Sequence, residues 1–150
     1  MGYWLLKTEP SEYGWEDLQK EGVAAWTGVT NAQAQGNLRS MKAGDRAVIY
    51  HSGERRAVGV AEVVRPAYPD PTGDGGGVCV DVKALWPLPA PVPLEALKQE
   101  PAFEGSLLVR QGRLSVVPLS PAEWRDLEGL ADVIARTGGL RSTESGAERF

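Results

Sequence analysis

The chain is short of the residues from which most catalytic and metal chemistry starts. Its 150 residues hold one cysteine, Cys79, and one histidine, His51. A single thiol excludes an internal disulfide and a cysteine-based zinc site, and no cofactor is implied. One histidine, with no cluster of metal ligands and no evident paired nucleophile, leaves an enzyme short of parts. No apolar run approaches the roughly 20 residues of a membrane span, so no membrane partner is expected. The opening Met1-Gly2-Tyr3-Trp4 enters strand-like sequence without a positive n-region, so no signal peptide is read and a cytoplasmic location is expected. Positive charge is scarce as well: 16 Lys and Arg stand against 20 Asp and Glu, a net charge of −4. Broad binding to long nucleic acid calls for a clearly basic domain, so any such contact must be local. The run Gly73-Asp74-Gly75-Gly76-Gly77 lacks the ending of a phosphate-binding loop and reads as a flexible tip.

What is present is enough for one domain with a sizeable core. Tyr3 to Thr8 alternates as a strand with both faces largely apolar, and Lys7 on such a strand needs an acceptor or an exit to water. Gly14 to Gly22 reads as a short helix with acids first and a closing glycine. Ala32 to Met41 reads as a polar helix capped by Thr30 or Asn31. Ala47-Val48-Ile49 is a short buried strand that stops at Tyr50-His51-Ser52, and Arg55-Arg56 turns it into an antiparallel partner, Ala57 to Val64. Arg65 to Gly77, rich in proline, reads as loop. Val78 to Trp86 alternates with Val78, Val80, Val82, Ala84 and Trp86 toward the core and Cys79 outward. Pro87 to Pro93 reads as a connector, Leu94 to Gln99 as a short helix and Leu114 to Val117 as a strand. Ser120-Pro121-Ala122-Glu123 carries the marks of a capping box, and Gly138 to Phe150 reads as a tail.

Strands of irregular spacing broken by short helices fit an α+β domain, a closed or nearly closed mixed β-barrel with short peripheral helices, better than a βαβ sheet. A barrel this small fills its own interior, which puts a ligand site at the rim. Four polar or aromatic tips compete for that rim: Lys7-Thr8, Trp26 to Asn31, Tyr50 to Ser52 and Arg113 to Ser115. An aromatic beside an asparagine at a helix entrance offers a stacking face and an amide in one place.

Several stretches together resemble a known family. Tyr3-Trp4-Leu5-Leu6-Lys7-Thr8-Glu9-Pro10, Trp15-Glu16-Asp17-Leu18, Trp26-Thr27-Gly28-Val29 with Asn31, Met41-Lys42-Ala43-Gly44-Asp45, Tyr50-His51-Ser52, Val58-Gly59-Val60-Ala61, Tyr68-Pro69-Asp70-Pro71-Thr72 and Arg113-Leu114-Ser115-Val116 resemble the EVE domain of the PUA-like superfamily. The resemblance implies a PUA-like barrel related to the YTH and ASCH folds; the domain is expected over residues 1–137, with 138–150, dominated by Gly, Ser, Thr and charges, as a flexible tail. It implies a pocket for a modified base of DNA or RNA, modified cytosine above all. Lys7, Trp26, Asn31, Tyr50, Ser52, Leu114 and Ser115 stand where the family's motifs place pocket residues, and Thr8, His51 and Arg113 adjoin them. Where the family carries an arginine after Val29, and an aromatic and a second arginine beyond Asn31, this chain has Thr30, Ala32 and Gln35. The expected function is a non-catalytic reader of one flipped or single-stranded nucleobase, or of a free modified base, acting as a monomer. The rivals are a small enzyme acting on a nucleoside-like ligand with His51 as general base, and a protein-interaction module using the same rim.

Overall fold

The structure, a computed structural model, describes residues 1–73 and 76–144. Six strands form one sheet: β1 (Tyr3–Thr8), β2 (Val23–Trp26), β3 (Arg46–His51), β4 (Arg56–Pro69), β5 (Val78–Pro93) and β6 (Val116–Leu119), in the order β2-β5-β4-β3-β1-β6. Only β1 and β3 run parallel; the other neighbours are antiparallel. Trp4, Leu5 and Leu6 are all buried, so β1 has covered faces on both sides, as its unbroken apolar run requires. Helices α1 (Trp15–Glu21), α2 (Ala32–Ser40), α3 (Leu94–Leu97), α4 (Leu107–Arg110) and α5 (Pro121–Glu144) surround the sheet. α2 packs against β4, β5 and β6, while α5 lies on β5 and β6.

The caps explain the helix positions. Gly22, at φ 79°, ends α1 and gives its N–H to Leu18 O at 2.8 Å. Asn31 starts α2 by accepting from Ala34 N–H at 2.9 Å. Ser120 and Glu123 form a reciprocal pair at 3.0 and 2.7 Å ahead of α5, and Trp124 then stacks on Tyr3 of β1 at 4.8 Å. At the start of β1 and β3, the buried Asp45 carboxylate accepts from Gly2 N, Trp4 Nε1 and Lys42 N. Burial pushes this carboxyl up, but the three donors outweigh it and hold it below the usual aspartate range.

Five sequence expectations need correction. Among the described residues the sheet is open, not a barrel: β2 and β6 are its two edges. Asn37 of α2 donates to Val116 O at 2.7 Å, so a helix side chain takes an acceptor of β6 that a closing strand would use. β4 runs on to Pro69 through the expected loop, because Pro66 falls where the β4–β5 register shifts between Arg65 and Tyr68. β5 likewise absorbs the proline connector up to Pro93, with Gly59 opposite Pro87 but Ala57 opposite Val92. Trp86 was expected in the core and is 43% exposed. Val60 faces Trp86 while Ala61 faces Ala84, so Leu85 is an extra residue that reverses the alternation. Cys79, expected outside, is fully buried opposite Tyr68 on the extended part of β4, and burial pushes its thiol up.

The helix α5 continues past Gly138 to Glu144; the remainder of the expected tail, 145–150, lies outside the described residues, as do Asp74 and Gly75 of the glycine tip. No helix among the described residues is long and apolar enough to cross a membrane.

Candidate functional site

A cavity of about 720 Å³ opens between the β2 edge and the ends of β1 and β6. One wall is the continuous stretch from Val23 to Asn31; Lys7, Thr8, Arg113 and Ser115 form the other, and Tyr13, just ahead of α1, and Glu21, its last residue, complete the lining. The opposing wall is held by Lys7 N–H, which donates to Ser115 O at 2.9 Å and so joins the end of β1 to the approach of β6. Lys7 is half-buried, and burial lowers its ammonium from the ordinary lysine value. It finds its acceptor in Gly112 O at 2.8 Å and lies 5.7 Å from the Tyr50 ring centroid. Thr8 Oγ1 donates to Tyr13 O at 2.5 Å. The Tyr13 hydroxyl donates to Glu21, and burial first, then that carboxylate, pushes the phenol up. Tyr13 also meets Trp26 edge-on, with ring centroids 6.1 Å apart.

The stretch after Trp26 is fixed by two side chains from outside it, Asp70 and Gln35. Gly28, at φ 80°, gives its N–H to Asp70 Oδ2 at 2.9 Å. Thr72 and then Gly28 hold the Asp70 carboxyl below its usual range. Gln35, 7% exposed, donates to Val29 O at 2.6 Å and Val78 O at 3.1 Å and accepts from Val78 N at 2.8 Å. Where a cation was expected by resemblance, an uncharged amide now braces the lip. Beyond that lip lies a second cavity of about 570 Å³, with Arg39 and Thr72 on its walls.

Of the residues expected at the site, Lys7, Thr8, Trp26, Asn31, Arg113 and Ser115 line the first cavity; Tyr50, His51, Ser52 and Leu114 do not. Trp26 is 7% exposed, part core and part wall. Asn31 uses its carbonyl oxygen as the α2 cap. Tyr50 is buried under Lys7, opposite it in the parallel register, and burial raises its phenol. Leu114 is buried in the core. Ser52 Oγ turns to Thr8 O and Glu9 at 3.4 and 3.5 Å. His51 Nε2 accepts the Trp15 N–H at 3.0 Å, and Nδ1 lies 2.9 Å from Glu54 Oε1, which fixes a tautomer protonated at Nδ1. The His51 contact, with that of Arg56, holds Glu54 below its usual range. Both ring nitrogens are thus engaged outside the cavity, Nε2 holding α1 to β3 and Nδ1 meeting Glu54 of the turn before β4, and the geometry gives a general base no support. Among the described residues no group of His, Cys, Asp and Glu could hold a metal.

Sequence reasoning missed Tyr13, Glu21 and Val23 to Ala25 as lining of the cavity. Tyr13 and Glu21 sit at opposite ends of α1, and no periodicity links them. β2 gave too short an apolar run to signal a strand, let alone an edge.

Comparison with known proteins agrees with this architecture. The EVE domain family matches residues 2–130. Thymocyte nuclear protein 1 of Mus musculus is 34% identical, over 81% of this chain and 70% of that protein. A crystal structure from Agrobacterium tumefaciens, 40% identical, superposes with a TM-score of 0.84 over 87% of this chain and 93% of its own. Human THYN1, solved in complex with DNA containing 5-methylcytosine, is 28% identical and superposes at 0.79 over 88% of this chain and 98% of its own. A family match across most of the chain, with relatives that share both sequence and fold, shows that the chain belongs to the EVE domain family.

Proposed function

We propose that this EVE domain is a non-catalytic binding module that takes one modified base of DNA, of the 5-methylcytosine class, into the cavity beside β2. The observation that carries the reading is the convergence of Trp26, Asn31, Lys7 and Arg113 on one cavity of about 720 Å³, within the roughly 300–1,000 Å³ usual for small-ligand sites. A human relative solved with 5-methylcytosine DNA supports the ligand class. A base inside a duplex cannot reach such a cavity, so the substrate is a flipped or single-stranded nucleotide. Trp26 supplies the aromatic face, with Tyr13 edge-on behind it. The Asn31 amide NH₂, left over from capping, offers a donor, and Lys7 and Arg113 stand where a flanking phosphate would run. The module acts as a monomer and needs no cofactor.

The test compares variants on an oligonucleotide with a single 5-methylcytosine. Removing the aromatic wall (Trp26→Ala) forfeits a stacking contribution of roughly 1–3 kcal/mol. Asn31→Ser keeps the cap and removes the NH₂ donor. Both should weaken binding more than Arg55→Ala, since an exposed arginine contributes about 1 kcal/mol or less. Melting of each variant is measured alongside. Equal affinity for methylated and unmethylated strands, with folded variants that bind as the parent does, ends the proposal.

A further inference from the structure

Five consecutive residues, Val23 to Thr27, line the same wall of the cavity. Strand side chains alternate between faces, so side chains alone cannot make such a wall; the main-chain edge must contribute. The ladder shows which groups are involved. Ala84 N–H donates to Gly22 O at 2.8 Å, and the register pairs Val23 with Lys83, Ala24 with Val82, Ala25 with Asp81 and Trp26 with Val80. In an antiparallel pair, hydrogen-bonded and non-hydrogen-bonded positions alternate. Starting from Gly22, the main chains of Ala24 and Trp26 therefore turn toward β5. Those of Val23 and Ala25 turn away from it. β2 is an edge strand, and among the described residues nothing hydrogen-bonds to the N–H or C=O of Val23 or Ala25.

An extended residue presents its N–H and C=O side by side in one direction, a donor next to an acceptor. The Watson–Crick edge of a nucleobase presents the complementary pair, and exposed bases are commonly read along that edge. The free edge is two residues long, too short to add a peptide strand but matched to the width of one base.

We propose that the unpaired main chain of Val23 and Ala25 is the hydrogen-bonding face of the cavity and reads the Watson–Crick edge of the bound base. The inference rests on the base-reading function above and names the groups that carry its specificity. Cytosine, with its amino donor beside the N3 acceptor, is held there without using its 5-position, which stays free to carry a methyl toward the side-chain walls.

Ala25→Pro deletes one outward N–H without touching the ladder to β5, and an edge strand tolerates proline where the lost donor faced away from its partner. The variant should bind a 5-methylcytosine oligonucleotide about tenfold more weakly, the usual effect of one lost hydrogen bond. Two measurements use the unmodified protein and so do not depend on that variant folding. The amide protons of Val23 and Ala25 should move downfield in the ¹⁵N spectrum on adding the oligonucleotide. An oligonucleotide methylated at cytosine N3, which blocks the acceptor, should bind at least tenfold more weakly. Unmoved amides, or full affinity for the N3-methylated strand, overturn the inference while leaving the base-reading proposal standing. If the protein binds an abasic strand as well as the methylated one, the base-reading proposal falls and this inference with it.

Discussion

Replacing Gln35 with leucine removes three hydrogen bonds while conserving most of the side-chain volume. What remains is a Val29 carbonyl and both main-chain groups of Val78, facing an apolar side chain in a region only partly open to water. An unsatisfied buried polar group costs roughly 1–3 kcal/mol, and the partial exposure here argues for the low end. Three groups near 1 kcal/mol each give a loss of about 3 kcal/mol. That is a large share of the roughly 5–15 kcal/mol by which domains are stable. At roughly 2–4 °C per kcal/mol for a chain of this size, the melting temperature should fall by about 6–12 °C. Urea unfolding followed by tryptophan fluorescence measures the change directly. Because Val29 belongs to the cavity lip, affinity for the methylated oligonucleotide should fall in the same variant, under conditions where it is still fully folded. A stability change under 0.5 kcal/mol would show that Gln35 does not brace the lip, and the account of how that wall is held would be wrong.

Three further outcomes follow from the same geometry. Asp45→Ala should cost about 2–4 kcal/mol, as a carboxylate with three donors is lost. The folded carboxyl is lowered, so its stabilisation is present above the ordinary aspartate value of about 3.9 and is lost as pH falls through the folded value. The acid decline of the urea midpoint should therefore be shallower in the variant, and identical slopes refute this. Gly59→Ala would place a Cβ 2.4 Å from the Trp15 ring, an overpacking that costs about 1–3 kcal/mol; an unchanged melting temperature contradicts it. Binding should weaken only modestly with salt, with a logarithmic slope of about −1.4 to −1.8 from Lys7 and Arg113 at the cavity, and a loss of several decades between 50 and 200 mM would mean a different mode of binding.

Where a local rule governed an element, the sequence revealed it. The Ser120–Glu123 box, the Asn31 cap and the closing Gly22 stand where short-range chemistry puts them. Long-range geometry stayed hidden. The prolines of β4 and β5 are compatible with strands only because the register shifts beside them, and the extra residue at Leu85 turned Trp86 outward. The polar tip at Tyr50-His51-Ser52 was conspicuous for a different reason: it ties Lys7, α1 and β1 together rather than facing a ligand. Gln35 resembled any polar residue on a polar helix, because its main partner is 43 positions away.

The place of β1 in the sheet has a consequence for the order of assembly. It lies between β3 and β6, so the first strand of the chain must wait for a segment more than a hundred residues later before its second edge is paired. The β3–β4–β5 meander needs only neighbours in sequence and can form early, whereas distant pairings carry the loop-closure entropy that slows folding. Lys7 and Thr8 come from the first strand, and Arg113 and Ser115 from the approach to the last. The cavity is therefore completed by the slowest pairing in the sheet, and a chain still lacking β6 would hold much of its core yet leave Arg113 and Ser115 out of the wall they share with Lys7 and Thr8.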